Sequence, residues 1–226
     1  MMPLLIGTNN PSKLALIRQM VQETGIPCVS PGEAGLAEVE AEHARTAEGN
    51  AIEKARTWHA ASGLPVLTED SGLVFLSLPE DHPDQPGVMV RRVHGHTMDD
   101  DEMLRWYQAI IQRHGGTLQA AWQDAWCLLK NHDTYITRVD SREILTHRAI
   151  TMVSTPCARR NPGWPLDSLT YYADLGKYRA ELTSVEMRAV RYETDKAAES
   201  DHRAMLRWLH RASDNTANKT KAGKAA

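Results

Sequence analysis

Short apolar runs alternate along this chain with stretches in which apolar residues recur every three or four positions, a pattern of strands interleaved with amphipathic helices. Leu4 to Ile6 reads as a buried strand, and Ser12 to Glu23 as a helix that turns Leu14, Ile17, Met20 and Val21 to one side before Gly25 stops it. Pro27 to Ser30 follows as a second strand, and Pro31 to Arg45 as a Gly- and Glu-rich loop. Ala47, Ala51, Ala55 and Trp58 share a face of a helix over Thr46 to Ser62, ended by Gly63. Pro65 to Thr68 and Gly72 to Leu78 are predicted as two strands joined through a Ser-Gly turn, and Pro79 to Pro86 as a surface loop. Leu104, Tyr107, Ile110 and Ile111 mark a helix from Asp99 to Arg113, broken by Gly115 and Gly116. Thr117 to Leu129 and Tyr135 to Val153 carry strand-like runs, and an amphipathic helix spans about His202 to Arg211. Residues 213–226 lack apolar content and are expected to be a disordered tail. The pattern is that of an α/β protein with a mixed sheet.

Composition narrows the partners. At 226 residues the chain can bury a sizeable core, and its 42% hydrophobic and 24% charged residues are ordinary for a globular protein. A net charge of -3 argues against duplex nucleic acid, which needs a basic face. No run of about 18 apolar residues is present for a membrane span. The start Met1-Met2-Pro3-Leu4 enters a strand directly, without a signal peptide's basic and apolar regions. Cys28, Cys127 and Cys157 are odd in number and widely spaced, which suits reduced thiols in a cytoplasmic protein.

The chemistry concentrates in two stretches. In P-V-L-T-E-D-S-G-L, Pro65 to Leu73, an apolar strand runs into two adjacent carboxylates, which are costly to bury unless a cation meets them. A hard divalent metal carrying a polyphosphate is the usual cation in an α/β protein. Asp70 would then bind the metal or take the proton of an attacking water, with Glu69 assisting; the alternative is a cap on the Gly72 amide. In L-L-I-G-T-N-N-P-S-K, a strand and a polar turn lead to Lys13 on the first turn of a helix. Helix N-terminal amides and an ammonium both favour phosphate, so Thr8, Asn9, Asn10 and Lys13 are candidate phosphate ligands; the alternative is an ordinary polar turn with a solvated lysine.

Four motifs in order resemble the inosine/xanthosine triphosphate pyrophosphatases. T-N-N-P-S-K at 8 to 13 is similar to that family's T-G-N-x-x-K, and N-A-I-E-K-A at 50 to 55 to its E-N-A-x-x-K-A. T-E-D-S-G-L at 68 to 73 resembles A-D-D-S-G-L, and P-G-V-M-V-R-R at 86 to 92 resembles P-G-x-x-S-A-R. Later, G-W-P-L-D at 163 to 167 stands for G-F-G-Y-D-P, G-K-Y-R-A-E-L at 176 to 182 for G-K-T-x-A-E-L, and D-H-R-A-M-L at 201 to 206 for S-H-R-x-x-x-L. The likeness is firm up to about Ile111 and patchy afterwards. Departures fall on functional positions. Asn9 replaces the phosphate-loop Gly, Leu16 a helix Glu, Gly49 the metal-binding Glu, and Glu69 the first Asp; the Lys before S-H-R has only Lys196 as a candidate.

The resemblance implies an elongated mixed sheet flanked by helices, in two lobes with a cleft between them, residues 1–212 forming one two-lobed domain. It implies hydrolysis of a nucleoside triphosphate of an aberrant purine (ITP, dITP or XTP) to monophosphate and pyrophosphate. The cofactor implied is Mg²⁺, with Mn²⁺ as substitute, held by Asp70, Glu69 and, in place of the lost ligand, Glu48. Asp70 and Lys13 are the catalytic candidates. Thr8, Asn9, Asn10, Lys13, Ser71, Trp164, Asp167, Lys196, His202 and Arg203 are the substrate-binding candidates, Trp164 stacking on the base and Asp167 accepting a ring N–H. A homodimer is implied too. A different nucleotide, or binding with little turnover, are the alternatives that the altered Glu48-Gly49 and Trp164 to Asp167 regions leave open. His94-Gly95-His96 lacks a third ligand for zinc, and Asp99 to Glu102 reads as favourable charge at a helix N-terminus.

Overall fold

In the computed structural model, which describes residues 2–37, 43–93, 95–190, 203–204 and 206–211, the chain opens with β1 (Leu4–Ile6), α1 (Pro11–Gln22), β2 (Cys28–Val29), α2 (Ala47–Ser62) and β3 (Val66–Phe75). A small hairpin follows, β4 (Arg92–Val93) and β5 (His96–Thr97), then α3 (Asp100–Arg113), β6 (Thr117–Asn131) and β7 (Thr134–Val139). The remaining named elements are α4 (Arg142–His147), β8 (Ile150–Val153), β9 (Thr170–Tyr172) and β10 (Lys177–Tyr178). The sheet is mixed: β1 pairs in parallel with β2 and β3, whereas β6 pairs antiparallel with β7 and β8, β8 with β9, and β9 with β10. The α/β reading with a mixed central sheet flanked by helices therefore holds.

Two units divide the chain. The first takes the residues up to Ser71, the stretch Asp124–Val139, and the C-terminal helical residues 203–204 and 206–211. Its layers follow from the alternation of side chains along a strand. Leu4, Ile6 and Leu67 pack with Ile17, Met20 and Val21 of α1, while the intervening Leu5 and Val66 pack with Trp58 of α2. The two helices thus cover opposite faces. Ala51 and Ala55 of α2 meet Cys127 and Leu129 of β6. Such small side chains let the helix lie close enough for Thr68 Oγ1 to donate to the Ala51 carbonyl at 2.6 Å. Thr46 caps α2, accepting from the Gly49 amide.

The second unit, Gly72–Gln123 with Asp140–Ala198, has its own core. Leu104, Tyr107, Ile110 and Ile111 of α3 pack with Leu73, Phe75, Leu118 and Met152. The Phe75 and Tyr107 rings meet edge-on at 6.2 Å. Asp99 and Glu102 form a reciprocal capping box at the start of α3.

Two expectations change. The Ser-Gly pair is no turn: β3 runs unbroken from Val66 to Phe75, carrying Glu69, Asp70 and Ser71 inside the strand. Gly72 is required for a different reason, since a Cβ there would come within 2.7 Å of the Gly87 carbonyl oxygen. The apolar run from Tyr135 to Val153 is not one strand, because Ser141 caps the short helix α4 between β7 and β8. All three cysteines are free, and the expected tail lies outside the described residues.

Gly72→Ala should destabilise the protein by about 1–3 kcal/mol, because a backbone neighbour cannot move aside as a flexible side chain can. Denaturant midpoints of the purified variant measure it, and a shift within error of zero would refute the close approach.

Candidate active site

The alternation that separates α1 from α2 continues through the acidic stretch of β3. Glu69 and Ser71 share the face of Leu67, and both meet Lys13 of α1. Lys13 Nζ lies 2.8 Å from Glu69 Oε2 and 3.5 Å from Ser71 Oγ. Asp70 shares the other face with Thr68 and meets α2, where Lys54 Nζ donates to its Oδ1 at 2.6 Å and Asn50 Nδ2 to its Oδ2 at 3.0 Å. Asn50 and Lys54 are four residues apart and so present to the same side of the helix. The Asn50 amide oxygen in turn accepts from the Ala44 backbone N–H. Glu69 and Asp70 are each only 7% exposed, so these partners are what makes their burial tolerable. Asp70 caps no turn.

Burial raises the Glu69 carboxyl above its ordinary pKa, with the Lys13 ammonium opposing that shift. Before α1, Thr8 Oγ1 accepts from the Asn10 N–H at 3.2 Å, and Asn10 Oδ1 accepts from the Lys13 backbone N–H at 3.1 Å. Asn9 is exposed at the same turn. Thr8, Asn10, Lys13, Glu69 and Ser71 thus lie along one chain of contacts, and Asp70 belongs to a second chain on the opposite face. Lys54 and Asn50 carried no assigned role in the sequence reading. The signal was present in N-A-I-E-K-A, whose Asn and Lys recur at helical spacing.

Glu48 accepts from Thr137 Oγ1 at 2.5 Å, its carboxylate turned towards β7. At position 49, where the resembling family carries Glu, a Cβ would come within 2.6 Å of the Ala44 Cβ. Among the described residues, three metal-ligand atoms of His, Cys, Asp or Glu gather within 4.8 Å only at His82, Asp84 and His114 of the second unit. Asp84 there already binds Arg113 at 2.5 Å and His114 at 2.9 Å. Glu48, Glu69 and Asp70 do not form a ready cage. One carboxylate completed by substrate phosphates still suits a hard ion that keeps much of its water, so Asp70 alone fits such a metal while Glu69 looks to the other face. His96 pairs with Glu102, and His94 lies outside the described residues.

The second unit holds a cavity of about 310 Å³ with a largely apolar lining that includes Leu73, Trp122 and Trp164. Two of the expected base ligands, Trp164 and Asp167, line it together, and Trp164 is 66% exposed. Arg91 and Arg179 are further lining residues that sequence reasoning missed. Asp167 binds Arg179 Nε at 3.1 Å and accepts from Asn161 Nδ2 at 3.1 Å. Asp100 fixes the loop beneath Trp164: it pairs with Arg91 at 2.7 Å and accepts from the Gly163 N–H at 2.6 Å. Its carboxyl is held below the usual range chiefly by Arg91, then by Gly163. Arg203 is an exposed helical residue of the first unit, whereas Lys196 and His202 lie outside the described residues.

The model of the Ham1 family matches residues 4–190. The chain belongs to the Ham1 family. A curated relative, the dITP/XTP pyrophosphatase of Nitrosomonas europaea, is 28% identical over 190 residues, covering 83% of this chain and 86% of that protein. Among solved structures, a HAM1 protein from Coxiella burnetii superposes with a TM-score of 0.64 at 22% identity, covering 92% of this chain and all of the other, and shows the shared fold. A nucleoside-triphosphatase / dITP/XTP pyrophosphatase from Mycobacterium abscessus gives 0.60 at 25% identity, covering 88% of this chain and 98% of the other. The Ham1 match spans both units, so the carboxylate pairs of the first and the cavity of the second both lie within the family's extent.

Glu69 supplies a stability test. Its folded carboxyl keeps a proton to higher pH than the unfolded chain does, so its contribution falls as pH rises from about 4.3, the ordinary Glu value, through the raised folded value. Glu69→Gln cannot titrate and should lose less stability than wild type between about pH 4 and neutrality. Unfolding free energies of both proteins across that range decide it, and parallel curves would contradict the assignment.

Proposed function

We propose that this Ham1 protein hydrolyses the triphosphates of aberrant purines, releasing a nucleoside monophosphate and pyrophosphate. The observation that carries this reading is Asp70: a buried carboxylate in mid-strand, gripped by a lysine and an amide from one helix, within a sequence of the family's kind. The first unit supplies what phosphoryl chemistry needs, which is charge neutralisation and an oriented water rather than covalent steps. Thr8, Asn9, Asn10 and the first amides of α1 receive phosphate oxygens. Lys13 and Lys54 exchange their carboxylate partners for the incoming phosphates and offset their charge. Asp70, released from Lys54, accepts the proton of the water that attacks phosphorus, and Asn50 keeps its other oxygen fixed. Pyrophosphate leaves as the bond between the α- and β-phosphates breaks.

Mg²⁺ or Mn²⁺ is the proposed cofactor. Asp70 would hold it together with the substrate phosphates, and when bound it adds Lewis-acid charge stabilisation at the phosphate oxygens. Glu48 stays with Thr137, and Glu69 looks to the opposite face of β3. The second unit's cavity takes the base, Trp164 against its face and Asp167 at an N–H of its edge. Two copies form a homodimer in the cytoplasm, as the resemblance implies; no helix among the described residues is long and apolar enough to cross a membrane.

Assaying pyrophosphate against orthophosphate release over a panel of purine and pyrimidine triphosphates tests the activity itself. Orthophosphate as product, or binding without any turnover, would remove it. Asp70→Asn should keep the fold and lower kcat by about two to three orders of magnitude, the loss expected of a central charge-handling group. Near wild-type turnover would leave Asp70 without its role.

Metal affinity gives an independent measure. Calorimetry with Mg²⁺ or Mn²⁺ should detect weak binding to the free protein and tight binding once a non-hydrolysable triphosphate is present, because few carboxylates await the ion. Tight binding to the free protein, unchanged by nucleotide and by Asp70→Asn, would contradict the single-carboxylate arrangement.

A further inference from the structure

Three metal-ligating side chains that neither the carboxylate pairs nor the apolar cavity use converge in the second unit. A ring nitrogen of His82, a carboxylate oxygen of Asp84 and a ring nitrogen of His114 lie within 4.8 Å of one another, the one such group among the described residues. His82 and Asp84 belong to the loop between β3 and β4, and His114 directly follows the last residue of α3. The two imidazole rings stand 5.2 Å apart at 73°, so they are not stacked face to face. His114 Nε2 sits 2.9 Å from Asp84 Oδ2, and the Asp84 backbone N–H donates to His82 Nδ1 at 3.1 Å. The ion pairs of Asp84 account for Arg113 and His114; they do not account for the second imidazole.

The surroundings suit a bound cation. Arg113 holds the other Asp84 oxygen, Oδ1, at 2.5 Å. A carboxylate fastened in this way presents a single oxygen, and such outer partners orient a metal ligand. The Arg113 side chain is 55% exposed, so solvent screens its charge, and Glu80 and Asp81, exposed on the loop just before His82, offset it. The loop is itself anchored: Gln85 accepts from the Phe75 N–H at 2.8 Å and donates to the Phe75 carbonyl at 2.9 Å. Its two ligands are thus placed in advance. Asp84 and His114 are each about one-fifth exposed, which leaves an entry path and room for a water as fourth ligand. Two imidazoles and one carboxylate match Zn²⁺ and its late first-row neighbours, whereas Mg²⁺ asks for oxygen ligands in an octahedron.

We propose that His82, Asp84 and His114 bind a divalent transition-metal ion of the Zn²⁺ type, and that the ion fastens the loop between β3 and β4 to the end of α3. Asp84 and His114 are 30 residues apart, so the ion closes a long loop of chain, the arrangement in which a metal clip constrains the unfolded state most. Beyond Gln85 the same segment reaches Gly87, whose carbonyl accepts from the Leu73 N–H at 2.9 Å, and then Val90 and Arg91 of the cavity lining. The site is structural. It uses neither Asp70 nor a phosphate, and it stands apart from the ion of the pyrophosphatase reading in donor type as well as in residues.

The test measures Zn²⁺ binding to the untagged full-length protein by competition with a chromophoric chelator, in wild type, His82→Gln, His114→Gln and Asp70→Asn. Wild type should show a Zn²⁺ site that a large excess of Mg²⁺ does not displace. His82→Gln and His114→Gln should each weaken it by about a hundredfold or more, since even the loss of an outer partner costs about 10–100-fold. Asp70→Asn should leave it unchanged, which separates this ion from the one proposed beside the phosphates. Zn²⁺ should also raise the thermal midpoint of wild type as its concentration rises, and should not raise that of His114→Gln. An anomalous difference map from wild-type crystals grown with Zn²⁺ locates the ion without any variant, and decides the matter should one fail to fold. Density between His82, Asp84 and His114 is the expected result. Density only elsewhere, Zn²⁺ held no more tightly than Mg²⁺, or wild-type affinity in both folded histidine variants would overturn the proposal and leave an adventitious ion only.

Discussion

Two adjacent carboxylates inside a buried strand set the terms for the first unit. Consecutive strand residues point to opposite faces, so no single cation can serve Glu69 and Asp70 at once. Each face must bring its own. Lys13 comes from the first turn of α1, and Lys54 with Asn50 from the middle of α2. That requirement ties the two helices to fixed registers on β3, because a one-residue slip of the strand would present each carboxylate to the wrong helix. The apolar layers agree with this register: Leu67 packs in the α1 layer and Val66 in the α2 layer. Alanines at 51 and 55 then allow α2 close enough for its lysine to reach. Unmaking either pair without a replacement would leave an uncompensated buried charge.

The second unit uses ion pairs to another end. Asp100 sits within the acidic first turn of α3, where its charge favours the helix dipole. It also clamps Arg91 and the Gly163 amide, joining the helix start to the loop that carries Trp164. The Asp167–Arg179 pair does the same at the far end of that loop. An exposed aromatic residue is held by rigid polar anchors on both sides. Such pre-organisation would lower the ordering cost of binding the flat ring that the proposed function places there.

Much of this was legible in the chain, for identifiable reasons. α2 has a Thr cap, a clear alanine face and a terminal Gly, and the helix lies where those signals put it. α3 was marked by its acidic start and its Gly-Gly end. Glu69 and Asp70 stood out because carboxylates are rare in apolar strands. The Ser-Gly turn was misread because Gly72 serves a close backbone approach, a tertiary fact that mimics a turn signal locally. The run from Tyr135 to Val153 hid α4, whose six residues are too few to show helical periodicity. Lys54 escaped notice because a lysine on a helix usually marks its wet face, and only the fold brings Asp70 against it. Asp100 and Arg91 meet Gly163 from 63 and 72 residues away along the chain, separations over which no local pattern reports.

The departures from the family's motifs acquire a common physical meaning in this light. Leu16 and Gly49 remove two carboxylates, and the space that a side chain at 49 would need is taken by Ala44. What remains in the first unit is nearly neutral, one lysine to each buried carboxylate. A site balanced in this way has little electrostatic reason to gather a divalent cation by itself. On the proposed function a triphosphate would change that balance, drawing both lysines away from β3 and leaving Asp70 to the cation that accompanies it. Under that proposal metal capture and substrate capture become one event. The proposed function then asks for few acidic ligands in the resting protein, because the charge to be neutralised would arrive with the substrate.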